Sequence, residues 1–132
     1  MIDHLTTVLK DRLSVSASER EPSPRIIVLV DDIDLVAGSS GNPLAPLVPL
    51  LAHAAEIGFA LVLTRRVSGA ARSAFDPVMQ RMKDLGAAGI VMDGTKDEGK
   101  LVGELVARPL PPGRAQFYTR DAGATMWQLA VK

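Results

Sequence analysis

The run RIIVLV at residues 25–30, stopped abruptly by Asp31 and Asp32, constrains this chain more than any other feature. Five consecutive aliphatic residues leave no polar side, which is the pattern of a strand buried on both faces within a parallel sheet. A second run, FALVLT at residues 59–64, repeats the pattern and ends on Arg65 and Arg66, and residues 89–92 predict a third strand. Between the first two runs, residues 43–56 are apolar and predict a helix. Pro43 and Pro46 suit its first turn, Pro49 marks a kink or the true start, and Gly58 fits its carboxyl-terminal cap. Asp76 and Pro77 form a cap and first-residue pair for a second helix, through Leu85 to Gly86. Strand, helix, strand, helix, strand predicts an α/β fold with a mostly parallel sheet and right-handed crossovers.

The flanks read differently. Ile2, Leu5, Val8, Leu9 and Leu13 recur every three or four residues, the stripe of an amphipathic docking helix. Residues 14–24 (SVSASEREPSP) have almost nothing to bury and predict an exposed linker. Residues 98–106 suggest a short helix. After the proline-rich RPLPPG, residues 115–119 and 125–131 predict an antiparallel hairpin turning at 121–124. At 132 residues and 47% hydrophobic content, one compact domain with a single core is expected over residues 1–132.

Composition removes several function classes. With no Cys there are neither disulfides nor thiolate metal sites, and His4 and His53 lie far apart without ligand spacing. Fifteen basic residues balance fifteen acidic ones, so despite the local cluster of Arg65, Arg66 and Arg72 no net field draws the chain onto nucleic acid. No window reaches the roughly 20 apolar residues of a membrane helix, and no signal-like layout opens the chain, which predicts a cytosolic location.

The chemistry concentrates where the first strand ends. Aliphatic residues followed by Asp31 and Asp32 have the Walker B layout. There the first carboxylate holds Mg²⁺ through water and the second acid polarises an attacking water. The competing reading is that a parallel strand ends in an ordinary polar loop and that Asp34 begins the next turn. Residues 94–100 (GTKDEGK) satisfy GxxxxGK, but Leu101 stands where Mg²⁺-binding Ser or Thr belongs, Asp97 and Glu98 put carboxylates where phosphate should sit, and the stretch follows the acidic strand instead of preceding it. It reads as an ordinary strand-to-helix turn. No Ser/His/Asp set or calcium-loop spacing is present, Arg65 and Arg66 at a strand end suit solvated surface, and the lone Trp127 suits core or interface.

VLVDD, GNPL, IGFALVLTRR, GAAR, FDPVMQRMKDLG, DEG and PLPPGRAQF, in that order, resemble the carboxyl-terminal (third) ATPase domain of EccC proteins, the FtsK/SpoIIIE-type motors of type VII (ESX) secretion in actinobacteria. The similarity runs from Arg25 onward. It implies a partial RecA-like P-loop NTPase fold, with ATP and Mg²⁺ as the family's cofactors. By position, Asp31 and Asp32 resemble the Walker B pair, with Asp31 facing Mg²⁺ through water, and Thr64 and Arg65 occupy the strand-end place where DNA-translocating relatives carry a phosphate-sensing Thr-Gln. The departures are Asp32 where active relatives usually have Glu, Arg65 for Gln, and no Walker A segment. The resemblance therefore implies a degenerate module, inactive alone, that recognises a carboxyl-terminal signal on secreted substrates and assembles with other EccC ATPase domains at the cytoplasmic face of the membrane. A half-domain completed by a Walker A segment from elsewhere is the alternative. Without the central Walker A strand, the two parallel strands should keep open edges and exposed apolar faces, so the chain should associate with itself or a partner.

Overall fold

A computed structural model describes residues 1–16, 18–19, 23–38 and 41–130, which form two compact units, Met1–Arg65 and Arg66–Lys132. In the first unit, α1 (Ile2–Ser14) lays its expected stripe against the 3-10 helix Ala45–His53, with Leu9 fully buried. Arg12 anchors the helix by donating from Nη1 to the carbonyls of Pro24 (3.0 Å) and Ile57 (3.1 Å), just before the two strands begin. Those strands, β1 (Ile26–Val30) and β2 (Phe59–Leu63), are parallel, with Ile26 opposite Phe59 and Val30 opposite Leu63. Leu44, Leu47, Leu50, Leu51, Ile57 and Phe59 are buried in this unit, together with Ile33 of the short α2 (Ile33–Val36).

Two expectations for this unit need correction. The apolar stretch after Pro43 winds as a 3-10 helix, because Pro46 and Pro49 remove two amide donors one turn apart and a proline ring clashes with the carbonyl four residues back in an α-helix. Gly58 still ends the stretch in the left-handed region, at φ 65°. The strands are not buried on both faces: exposure alternates along β1, leaving Ile27 65% and Leu29 68% exposed, with Val62 of β2 45% exposed beside them. A two-stranded sheet lacks the flanking strands and second layer of helices that cover both faces of a larger parallel sheet. The open apolar face is the one expected from a missing central strand.

The second unit carries α3 (Pro77–Asp84), whose start is as expected: Asp76 accepts the amides of Val78 (2.9 Å) and Met79 (3.1 Å). Strand β3 (Gly89–Val91) hydrogen-bonds antiparallel to β6 (Arg114–Thr119), and β6 in turn to β7 (Gly123–Gln128), so the carboxyl-terminal hairpin is present and β3 belongs to its sheet. Residue 131 of the expected last strand lies outside the described residues, as do residues 17 and 20–22 of the expected linker and residues 39–40; the described residues of 15–24 are exposed.

Residues 98–106 form no helix but a hairpin of β4 (Lys100–Val102) and β5 (Leu105–Val106). Gly103 turns it at φ 54°, and a Cβ there would run into the Tyr118 ring; β-branched Val102 and Val106 favour strand on either side. The hairpin supplies Leu105 to a core with Val91 and Ala107, against which Val67, Leu101, Val102 and Tyr118 pack. Among the described residues no helix is long and apolar enough to cross a membrane.

Candidate functional site

Because β1 and β2 run parallel with Val30 opposite Leu63, the residues that follow them, Asp31 and Thr64, emerge side by side. Ladder geometry carries one step past the strands: the Thr64 amide donates to the Val30 carbonyl at 3.0 Å. The Thr64 hydroxyl then donates to Asp31 Oδ1 at 2.6 Å and accepts from the Asp32 amide at 2.9 Å, while the Thr64 carbonyl accepts the Ile33 amide at 2.9 Å. One threonine thus ties three successive residues at the end of β1. Asp32 turns the chain in the left-handed region, φ 54° and ψ 69°, the sole non-glycine with positive φ among the described residues. Aspartate tolerates this conformation better than most side chains. Its Oδ1 is shielded from solvent, whereas Asp31 is exposed.

Arg65 turns back to the same loop. Its Nη2 lies 3.0 Å from Asp34 Oδ1, with side chains 16% and 33% exposed, so the guanidinium at the expected phosphate-sensing position is engaged by a carboxylate of the chain itself. All four residues singled out from the sequence, Asp31, Asp32, Thr64 and Arg65, therefore meet at the carboxyl ends of a parallel pair, where ligands gather in open α/β sheets. Asp34 was missed as a member. Only the register of two strands separated by a crossover brings it to Arg65, and no local motif announces that.

The GxxxxGK stretch is built into the second unit's own framework. Glu98 closes the 3-10 helix Lys96–Glu98, and its carboxylate accepts the Gly69 amide at 2.7 Å and the Ala71 amide at 2.9 Å. Lys100 opens β4 and pairs with Glu104. Contrary to the expected strand-to-helix turn, the loop runs into a strand, and its Glu98 carboxylate accepts amides that lie outside the stretch. Trp127 is 41% exposed and stacks on Phe117 with ring centroids 4.2 Å apart at 35°, a cross-strand contact of the hairpin.

As a test of fit for Mg²⁺ and ATP, Asp31 and Asp32 supply the oxygen donors a hydrated Mg²⁺ takes. The described residues offer no glycine-rich loop opening a helix to cradle phosphates. Asp31 and Asp32 would thus meet the hydrated metal of a nucleotide, and no described element would meet its phosphates. No group of three His, Cys, Asp or Glu among the described residues is placed to hold a metal.

No protein-family model matches the chain. It is 48% identical over 107 residues to the ESX-4 secretion system protein EccC4 of Mycobacterium tuberculosis, covering 81% of this chain and 9% of that protein. It is 41% identical over 107 residues to the ESX secretion system protein EccC of Thermomonospora curvata, covering 81% and 8%. Among solved structures, the cytoplasmic domain of the T. curvata type VII secretion ATPase EccC superposes with a TM-score of 0.88 at 33% identity, over 99% of this chain and 16% of that one. T. curvata EccC (ATPases 2 and 3) in complex with a signal sequence peptide gives 0.85 at 33%, over 99% and 25%. The chain spans less than a tenth of the length of these two curated relatives. By sequence and by fold it belongs to the EccC family of ESX secretion ATPases, matching the carboxyl-terminal ATPase domain.

Proposed function

We propose that this chain serves a type VII secretion motor as a substrate-recognition and assembly module, at the cytoplasmic face of the membrane, and does not hydrolyse ATP by itself. The observation that carries this reading is the internal engagement of the strand-end groups: Thr64 holds Asp31, and Asp34 holds Arg65, the residue standing where a phosphate sensor is expected. The GxxxxGK stretch, which leads into a strand and whose Glu98 is tied to the Gly69 and Ala71 amides, adds to it. The ligand proposed is a carboxyl-terminal signal segment of an ESX substrate, a class suggested by the peptide bound to the T. curvata relative. Other EccC ATPase domains are the proposed partners in assembly. Fluorescence anisotropy of a labelled carboxyl-terminal peptide from an ESX substrate tests it. Saturable binding that Asp31→Ala leaves unchanged is expected, and a peptide that never binds contradicts recognition.

A second reading keeps the nucleotide. The meeting of Asp31, Asp32 and Thr64 at one sheet end supports an ATP half-site completed by a Walker A segment of another chain or of a longer polypeptide. Magnesium-dependent ATP binding that appears only when such a segment is added, and that Asp31→Ala abolishes, would favour it.

A further inference from the structure

The outer edge of β1 has a sequence that pairs with itself. Ile26 donates its amide to the Gly58 carbonyl and Val30 accepts from the Thr64 amide, so the even-numbered residues of β1 turn their main-chain groups toward β2. Alternation then turns the amides and carbonyls of Ile27 and Leu29 to the opposite edge, where the sheet ends. The side chains of the odd-numbered residues Arg25, Ile27, Leu29 and Asp31 are all exposed. An open edge with apolar side chains above it is a template for another strand.

We propose that this edge is a homodimer interface in which β1 pairs antiparallel with β1 of a second copy about a twofold axis through Val28. In that register Ile27 meets the second copy's Leu29 as a hydrogen-bonded pair, in agreement with the outward direction of their main-chain groups. Arg25 meets Asp31, an opposite-charge cross-strand pair made twice by symmetry. Val28 meets its own symmetry mate, and the exposed apolar residues of both copies, with Val62, become one continuous four-stranded face. A register shifted by one residue opposes side chains of opposite faces, and one shifted by two keeps the faces but parts Arg25 from Asp31, so the register centred on Val28 is the one that pairs the charges. Equal numbers of acidic and basic residues leave no net repulsion between copies. The inference does not depend on the secretion reading.

Sedimentation equilibrium and single-cysteine cross-linking of the full chain test it. A dimer at protein concentrations on the order of 100 µM is expected. The chain has no native cysteine, and Val28→Cys should give a disulfide-linked dimer under mild oxidation, since residues facing each other at a non-hydrogen-bonded antiparallel position have Cα atoms about 4.5 Å apart. Leu35→Cys, 78% exposed where Val28 is half-buried, but carried on α2 beyond the end of β1, should not. Arg25→Asp sets like charges opposite each other and should weaken the dimer about tenfold or more; mixing it with Asp31→Arg should restore a heterodimer. A chain that stays monomeric at those concentrations, its edge awaiting some other strand, overturns the proposal. So does a dimer in which Val28→Cys links no better than Leu35→Cys.

Discussion

The hydroxyl of Thr64 donates to Asp31 Oδ1 at 2.6 Å, joining residues 33 positions apart at the common end of two parallel strands. The same oxygen accepts the Asp32 amide, so the threonine fixes both the first carboxylate and the backbone that carries the second. Thr64→Val keeps the shape and removes both bonds. It should cost about 1–2 kcal/mol in urea unfolding, and Thr64→Ser much less. Equal losses from both substitutions would deny the hydroxyl this role.

The left-handed turn at Asp32 predicts an order of stabilities. Glycine occupies that region without a Cβ penalty, so Asp32→Gly should be more stable than Asp32→Ala by about 1 kcal/mol, contrary to the usual ranking in strands and helices. Both variants lose the same carboxylate, which isolates the backbone contribution. Denaturation midpoints of the pair give the answer, and Ala above Gly would contradict the turn.

Leu9 is fully buried on α1, whereas Leu35 on α2 is 78% exposed. Leu9→Ala should therefore cost about 2–5 kcal/mol and Leu35→Ala less than about 0.5 kcal/mol. The same chemical deletion at both sites makes calorimetric unfolding a direct reading of whether α1 is part of the first unit's core.

The Glu98 carboxylate accepts the Gly69 and Ala71 amides. Glu98→Ala should speed hydrogen exchange at those two amides selectively, by about tenfold for a bond worth about 1–1.5 kcal/mol. Unchanged exchange there would mean that the carboxylate does not hold the loop.

Much of this was legible in the sequence where the signal was local. The runs at 25–30 and 59–64 are strands because aliphatic β-branched residues favour a pleated surface, and Asp76 caps α3 because its side chain reaches two amides that otherwise lack partners. The strand-end set followed from the same runs, since residues after parallel strands must share one end of the sheet. The hairpin at residues 100–106 was hidden because its cause is the Tyr118 ring against Gly103, fifteen residues away, which a local helix reading does not see. Aliphatic runs also could not say how many strands would surround them. The exposed faces of Ile27 and Leu29 follow from sheet size, not from residue type. The partnership of Asp34 with Arg65 likewise depends on a crossover register that neither residue encodes locally.

Among the described residues the strand-end carboxylates have no phosphate cradle beside them, and isothermal titration of the full chain with ATP and Mg²⁺ is the decisive experiment. No measurable heat is expected, or binding no tighter than the millimolar range, about 4 kcal/mol. Micromolar binding abolished by Asp31→Ala would contradict it, by showing that these residues complete a nucleotide site on their own.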